Sequence, residues 1–317
     1  MLRRYRISLS AALLLALAAG CGSKPAPEDS ASVPAGAPAA GDQRTADHRA
    51  PTALTPPQPP SAEEPNTEPA PTRNQAFDPA TVGRINGFVK WIGDPPQPVK
   101  FVLDKDAHAC THDGRTEHVS QRLIVDPPTR GVKNAVVYLA RMKGRGKPLD
   151  TLPYAGLLDQ KHCEYSPRVM VIPRGAKLKM GSSDPTLHNV NMQGAAGYNM
   201  ALLQGTQVSR PMLEPGLVRM KCDAGHWWMR GYLHVVEHPY YAITPADGRF
   251  ELDDVPPGTY EVVMWHEGWS VIGQNAGRVE FSDEPLILKQ RLTVRPKHTT
   301  DLNFELSDLH TIAARSS

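Results

Sequence analysis

The chain of 317 residues carries little net charge. It has 35 lysine and arginine residues against 33 aspartate and glutamate residues. Residues 1–20 hold three of the arginines and no acid, so the remainder has 32 basic and 33 acidic residues and a net charge of −1. This balance gives no electrostatic support for binding to nucleic acid or to an anionic membrane surface.

Hydrophobic runs long enough to span a membrane are also missing. The apolar run from Ile7 to Ala19 is too short to cross a bilayer, and three arginines precede it, as in a signal peptide. We therefore interpret residues 1–20 as a signal peptide. The run ends in Leu-Ala-Ala-Gly-Cys, which resembles a bacterial lipobox with Cys21 as the acylated residue. The alternative is an ordinary secretory signal that is cleaved nearby. In lipoproteins of this kind, Gly22 in place of an aspartate implies the outer membrane, facing the periplasm.

Large apolar residues are nearly absent between Gly22 and Ala76, where proline, alanine, glutamate, serine and threonine predominate. Such a segment cannot bury enough surface to offset the entropy lost on ordering. We therefore predict a disordered tether over residues 21–80, which would hold a folded region away from the membrane.

Long helical periodicity is missing from the rest of the chain. Short alternating or β-branched runs recur there between glycines and prolines, and this pattern predicts an all-β fold made of sandwiches. Pro256-Pro257-Gly258 is interpreted as a hairpin turn between Phe250–Val255 and Tyr260–Trp265. The predicted strands are Gly83–Trp91, Asn134–Leu139, Val169–Ile172, Ala176–Met180, Leu217–Lys221, Tyr232–Val236, Arg249–Leu252, Tyr260–Trp265 and Leu302–Leu306.

One short segment is rich in metal-binding side chains. Cys222, His226 and Met229 lie within eight residues, and His188 lies upstream of them. A thiolate, two imidazoles and a thioether form the ligand set of a mononuclear electron-transfer copper site. Zinc is an alternative, although methionine is a poor zinc ligand. Taken singly, each residue could instead fill the core or make ordinary hydrogen bonds.

The segment from about Tyr165 to Glu237 resembles the cupredoxins, with a spacing most like that of amicyanin. The resemblance rests on three features: the strand pair Val169–Ile172 and Ala176–Ser182 around a Pro-Arg-Gly turn, the run Leu-His-Asn-Val at Leu187, and the spacing of the Cys-His-Trp-Trp-Met loop.

This resemblance implies that one copper ion is bound by His188, Cys222, His226 and Met229. It also implies that Asn189 ties the ligand loop down. The chain departs from amicyanin in having three residues rather than two between the cysteine and the second histidine, an extra length that Gly225 could absorb as a bulge.

The four cysteines fit this interpretation. With Cys21 acylated and Cys222 held by copper, Cys110 and Cys163 remain to form a disulfide in an oxidising compartment. One alternative is two separate thiols. Another is a second metal cluster formed by His108, Cys110 and His112.

The flanking segments resemble the prealbumin-like sandwich known as the carboxypeptidase regulatory-like domain, through Asp247-Gly-Arg-Phe and Pro256-Pro-Gly-Thr-Tyr. Its opening strands would lie before the copper segment. We predict a cupredoxin-like copper domain of residues 160–238, inserted in a discontinuous sandwich of residues 81–143 and 239–307. Two consecutive domains are the alternative. No peptidase site accompanies this resemblance.

Two aromatic residues and two further histidines add open questions. Trp227 and Trp228 follow His226, and they either pack the loop onto the sandwich or form an exposed rim where electrons leave through the His226 edge. His238 and His266 would make ordinary hydrogen bonds at a domain junction. The alternative is a second copper site or a gate between domains.

The sequence therefore predicts a lipid-anchored, periplasm-facing all-β protein with one copper ion and no catalytic site. Its predicted role is electron transfer with a redox partner protein. The alternatives are a copper-binding carrier or sensor for metal delivery and a structural surface sandwich without a redox role.

Overall fold

The computed structural model describes residues 77–111, 117–142 and 144–310, and the regular structure within them is almost entirely β-strand. The all-β prediction is therefore confirmed. The predicted signal peptide, Cys21, His112 and all but the last four residues of the predicted tether lie outside the described residues. Among the residues described, no helix is long and apolar enough to cross a membrane.

Twenty strands are assigned within the described residues. The first ten are β1 (Gly83–Trp91), β2 (Lys100–Val102), β3 (Glu117–Val119), β4 (Val136–Leu139), β5 (Leu157–Lys161), β6 (Glu164–Ser166), β7 (Val169–Pro173), β8 (Lys177–Gly181), β9 (His188–Gly194) and β10 (Asn199–Leu202). The others are β11 (Gln207–Pro211), β12 (Gly216–Lys221), β13 (Arg230–Val236), β14 (Tyr241–Ile243), β15 (Arg249–Val255), β16 (Gly258–His266), β17 (Val271–Asn275), β18 (Arg278–Phe281), β19 (Leu286–Val294) and β20 (Thr299–Leu306). A short helix, α1, covers Ala107–Cys110, and a 3-10 turn covers Leu149–Thr151.

Four of the sheets stack as layers. The first has the order β15-β1-β20, the second β14-β4-β16-β19, the third β10-β9-β12-β13-β7 and the fourth β11-β8-β5-β6. Strands β1 and β4 pair only with strands that follow Val236, whereas the third and fourth layers are built entirely from residues 157–236. The assignment of these layers to separate domains stays a prediction.

Three apolar clusters fill the spaces between the four layers. The cluster between the first two layers includes Val89 and Met264, and the cluster between the last two includes Ile172 and Leu178. A smaller cluster, which includes Trp265, joins the second layer to the third. The burial of apolar side chains on both faces of the second and third layers is the main force that holds the stack together.

The sequence of β7 reflects its place inside this stack. All five of its residues, Val-Met-Val-Ile-Pro, are buried. Met170 and Ile172 face the fourth layer's cluster, while Val169 and Val171 face the second layer's. A strand covered on both faces is continuously apolar rather than alternating, so the run is a signature of the layer stack.

Two sequence-based predictions of strand pairing are wrong. Pro256-Pro257-Gly258 does not form a hairpin, because β15 pairs with β1 while β16 pairs with β4 and β19. Likewise β7 pairs with β13 while β8 pairs with β11 and β5, so the Pro-Arg-Gly turn does not join a strand pair. Both turns carry the chain from one layer to the facing one. A turn sequence fixes the reversal of the chain but does not determine whether the flanking strands pair or face each other.

The segment Phe101–Cys110, which we call the cap, lies before β4 in the chain and yet packs against residues 157–236. Phe101, Leu103 and Cys110 belong to the same apolar cluster as Ile172 and Leu178. The predicted domain bounds place this segment in the outer sandwich, and that division stays a prediction. In the structure the cap belongs to the cluster that supports the candidate site.

Candidate metal centre

The predicted equatorial ligands come from three neighbouring strands of the third layer. His188 is the first residue of β9, Cys222 follows the last residue of β12, and His226 lies in the loop from β12 to β13. Because β9 and β13 flank β12 and both run antiparallel to it, the start of each strand lies beside the end of β12. Sheet topology thus brings together residues 34 positions apart.

The three donor atoms form a compact triangle. Nδ1 of His188 lies 3.2 Å from Nδ1 of His226, and Sγ of Cys222 lies 4.0 Å from the first nitrogen and 3.7 Å from the second. All three side chains are buried. Metal–nitrogen bonds of about 2.0 Å and a metal–sulfur bond of about 2.3 Å bring the donors of one site to within roughly 3–4 Å of each other. The triangle therefore fits a single ion held by two imidazoles and one thiolate.

The surroundings of Cys222 favour ionisation of its thiol. Burial by itself raises its pKa, but hydrogen bonds from His188, His226 and the backbone N–H groups of Asn189 and Ala224 lower the pKa to about 6. Burial lowers the pKa of His188, while its hydrogen bond to Asp184 and the nearby thiolate raise it to about 9. The thiolate is the form that binds a metal, so the surroundings favour the metal-binding state of the sulfur.

Asp184 fixes the outer side of His188. The Nε2 of His188 donates to Oδ2 of Asp184 at 2.9 Å. The same carboxylate accepts the backbone N–H groups of His162 and Cys163, each at 2.7 Å. A carboxylate on the outer nitrogen sets the tautomer and orientation of a metal-binding imidazole. Sequence analysis missed Asp184, although its position four residues before a candidate ligand was an available signal.

Asp106, a residue of the cap, approaches the outer side of His226. Its Oδ2 lies 3.3 Å from Nε2 of His226 and accepts the hydroxyl of Thr186 at 2.8 Å. The geometry does not make a hydrogen bond to His226, whose Nε2 is buried without a partner among the described residues. Nothing in the sequence signalled this contact, because Asp106 lies 120 residues from His226.

Asn189 links two parts of the site. Its Oδ1 accepts the backbone N–H of Asp223, the residue after Cys222, and its Nδ2 donates to Oδ1 of Asn199 at 2.7 Å. The side chain thus connects β9 and β10 to the start of the ligand loop. The cupredoxin resemblance implied that Asn189 ties the ligand loop down, and that role stays a prediction.

Met229 closes the ligand loop through its backbone. Its N–H donates to the carbonyl of His226 at 3.0 Å, and its carbonyl accepts the N–H of Cys222 at 3.3 Å. The side chain is buried in the same apolar cluster as Cys222. Within the loop Gly225 has a φ of 102°, a conformation that favours glycine; that Gly225 absorbs the additional residue stays a prediction. The role of the thioether as an axial ligand stays a prediction.

The cap covers His226. A disulfide joins Cys110, at the end of the cap, to Cys163. Trp228 is buried and its Nε1 donates to the carbonyl of Cys163 at 3.1 Å. His226 itself has an exposed fraction of 0%. The hypothesis of an aromatic rim around an accessible His226 edge is therefore wrong, because a distant segment of the chain covers that edge.

The other histidines lie apart from this centre. His108 is exposed and the neighbouring Cys110 is disulfide-bonded. His238 and His266 are buried, and burial lowers the pKa of each to about 4. Neither belongs to a group of three potential metal donors among the described residues. Each accepts a local backbone N–H through Nδ1, His238 from Tyr240 and His266 from Gly268.

No protein-family model matches the chain, and no curated protein matches it. Among solved structures it is similar to a Cu-containing nitrite reductase (NirK) from Thermus scotoductus SA-01, with 19% identity, a TM-score of 0.24, and coverage of 29% of this chain and 23% of that chain. A purple cupredoxin from Nitrosopumilus maritimus matches with 20% identity and a TM-score of 0.23, over 25% of this chain and 98% of that chain. A reduced amicyanin variant matches with 17% identity and a TM-score of 0.24, over 32% of this chain and 98% of that chain.

These partial similarities involve cupredoxins, but at such TM-scores they assign no function. The match spans less than a quarter of the nitrite reductase chain. The chemistry of the centre is therefore interpreted from its own atoms. The carboxypeptidase regulatory-like resemblance and the lipid anchor stay predictions.

Proposed function

We propose that the chain is a mononuclear copper protein that transfers electrons in the bacterial cell envelope. The observation that carries this proposal is the buried triangle formed by Nδ1 of His188, Nδ1 of His226 and Sγ of Cys222. Two imidazoles and a thiolate suit both oxidation states of copper, whereas a harder ion prefers oxygen donors. When bound, copper would supply one-electron redox chemistry.

The protein would hold the ligands in place through both redox states. His188 is fixed by Asp184, and Cys222 receives two backbone N–H hydrogen bonds. The His226 ring packs edge-on against the ring of Trp228, with centroids 5.4 Å apart. Ligands that are held by packing and hydrogen bonds move little when the charge of the ion changes, and small movements favour fast electron transfer.

Electron transfer is favoured over metal delivery by the burial of the site. A delivery protein must release its ion to a partner, so its ligands need an accessible face. Here both histidines have an exposed fraction of 0%, and the cap over His226 is covalently fixed by the Cys110–Cys163 disulfide. Such a site would exchange its ion slowly.

The visible absorption spectrum after addition of Cu(II) to the metal-free chain tests this proposal. Electron transfer at a copper–thiolate site predicts an intense blue or green band at one equivalent of copper. Tight, colourless binding of Cu(I) without a stable Cu(II) form would favour the copper carrier or sensor. Absence of metal binding would favour the structural sandwich.

The proposed location is the outer membrane, through an acylated Cys21 and a flexible tether, with an unidentified redox partner protein. Labelling of the full chain with a radioactive fatty acid in a bacterial host, compared with Cys21→Ser, tests the anchor. Label that persists in the variant would contradict it.

A further inference from the structure

A cleft of about 570 Å³ lies beside the candidate metal centre. Its walls come from the cap, from β3, from the ligand loop and from the β17–β18 ribbon. The aromatic side chains that line it are Phe101, Trp227, Trp228 and Phe281. Its size falls within the range of small-molecule sites, which typically combine apolar walls with a few polar groups.

Trp228 connects the cleft to the centre. Its ring lines the cleft and also packs edge-on against the ring of His226, with centroids 5.4 Å apart and an interplanar angle of 84°. On the cleft side the ring centroid lies 6.1 Å from that of Phe101 and 5.8 Å from that of Trp227. Because the cap covers His226, a molecule in this cleft would be separated from a predicted copper ligand by a single aromatic ring.

The charges of the cleft largely cancel. Four arginines and four carboxylates line it, and several of them are already paired. Arg278 contacts Asp104 at 2.5 Å, and Arg168 makes a two-pronged ion pair with the buried Glu267. A highly charged ligand would have to displace such pairs, so the lining favours a neutral molecule.

His118 supplies a directional polar group. Its Nε2 lies 2.7 Å from Oε1 of Glu164, and a carboxylate can only accept, so the proton of the neutral ring lies on this nitrogen. In that tautomer Nδ1 is a hydrogen-bond acceptor, and it has no partner among the described residues. The His118 ring also stands beside the aromatic wall, 5.2 Å from the Phe101 ring and 6.5 Å from the Trp228 ring. An aromatic wall next to a hydrogen-bond acceptor suits an aromatic hydroxyl compound.

We propose that this cleft binds a small neutral phenol or hydroquinone, and that the bound molecule reduces the copper centre through Trp228 and His226. The redox half of the inference rests on the proposed copper function, whereas the binding half does not. In the step, the hydroxyl O–H bond would break and its proton would move to Nδ1 of His118. The remaining electron would reduce the copper ion that His188, His226 and Cys222 would hold from Cu(II) to Cu(I), and the phenoxyl radical would leave the cleft. The redox partner protein would then accept the electron from Cu(I).

Binding is tested on the metal-free full chain by isothermal titration calorimetry with hydroquinone. Cyclohexane-1,4-diol, which has the two hydroxyls but no aromatic ring, is the matched control compound. We expect saturable binding of hydroquinone only. His118→Phe should weaken binding about tenfold, the value expected for a lost hydrogen bond, because it keeps the ring and removes both nitrogens. The same change at the exposed His298, outside the cleft, should have no effect. Equal binding of the two compounds, or no binding of hydroquinone, would overturn the proposal.

The redox half is tested on the copper-loaded chain by stopped-flow loss of the visible band. The rate of reduction should reach a plateau as the hydroquinone concentration rises, and it should be half-maximal at a concentration equal to the Kd measured by calorimetry. It should fall about tenfold or more in His118→Phe at subsaturating hydroquinone, while reduction by ascorbate stays unchanged. If hydroquinone binds but the rate of copper reduction rises linearly with its concentration and reaches no plateau, the proposed electron route is wrong. If hydroquinone binds but copper gives no visible band, the electron-transfer function fails and the cleft remains a binding site only.

Discussion

The two histidines of the centre are supported in different ways. His188 donates a hydrogen bond to Asp184, which lies four residues away and itself accepts hydrogen bonds from two backbone N–H groups. His226 faces Asp106, a residue of the cap, at 3.3 Å and without a hydrogen bond. One side of the site is thus built locally, whereas the other depends on a distant segment fixed by a disulfide. The His188 side is held by side-chain and backbone hydrogen bonds, whereas the His226 side is held by packing against Trp228 and the cap.

The largest expected effect comes from removing the ligand that both sides share. Cys222→Ser should abolish the charge-transfer band, because that band belongs to the copper–thiolate bond. The fold should persist, since the layers pack through clusters of which Cys222 is a minor member. Visible absorption and far-ultraviolet circular dichroism measure the two properties. An intense band in the Ser variant would show that the thiolate is not a ligand.

The pH dependence of metal binding should show how many protons the site releases when it binds the ion. In the metal-free chain the pKa is about 6 for Cys222 and about 9 for His188. Between these values the thiol is ionised and His188 is protonated, so binding should release one proton and affinity should fall about tenfold per unit as pH decreases. Below pH 6 the thiol of Cys222 is protonated as well, so metal binding releases more than one proton and the affinity should fall more steeply.

Proton release measured with an indicator dye checks this prediction. In Asp184→Asn, His188 loses the carboxylate that raises its pKa. The pH range over which binding releases a single proton should therefore become narrower. Asp106→Asn serves as the matched control on the other side of the site. A window that is unchanged in Asp184→Asn would show that Asp184 does not set the protonation of His188.

Loss of the Cys110–Cys163 disulfide should mainly affect access to the His226 side of the site. The disulfide closes a separation of 53 residues, so its loss should cost about 4 kcal/mol of unfolding free energy in the chain-entropy view. The variant Cys110→Ser with Cys163→Ser should still bind copper, since neither residue is a predicted ligand, but the ion should exchange faster because the cap is released. Chelator-driven copper loss measures the rate. Unchanged exchange in a folded variant would show that the cap does not control access.

Local patterns allowed the all-β class and nine of the twenty strands of the described residues to be predicted. The bounds of the nine predicted strands lie within three residues of those of β1, β4, β7, β8, β12, β13, β15, β16 and β20, since apolar runs bounded by glycine and proline are local signals. The donors at Cys222 and His226 were recognisable because they share one loop.

The supports of the site were much less predictable. Asp106 and the cap reach the site only through tertiary structure, and no periodicity encodes a contact across 120 residues. The loop sequence left open whether the tryptophans pack the loop or expose the His226 edge, because the loop does not show what covers it. The turn at Pro256 likewise does not form the predicted hairpin, because the packing of the whole stack decides whether the flanking strands pair or lie in facing layers.

The two supporting carboxylates should differ in their effect on affinity. Asp184→Asn should weaken metal binding by about 10–100-fold, the range typical of carboxylates behind a ligand histidine. Asp106→Asn should change affinity by only a few fold, because its carboxylate makes no hydrogen bond to His226. Competition with a chelator of known affinity measures both. Equal losses in the two variants would mean that Asp106 forms the missing hydrogen bond once the metal is bound.

The smallest expected effect on binding is at Met229, which should tune the centre rather than hold the ion. An axial thioether bond is weak and long compared with the equatorial bonds. Met229→Gln should retain copper and lower the reduction potential, because a harder oxygen donor favours Cu(II). Met229→Leu should raise the potential by removing a donor, while His188→Ala should lose copper outright.

Cyclic voltammetry with copper quantitation measures each outcome. The packing control is Met212→Leu, at a fully buried methionine of the same apolar cluster as Met229. If both Met229 variants matched the potential of the wild-type chain, the thioether would not be a ligand, and the additional residue between Cys222 and His226 would have redirected the loop.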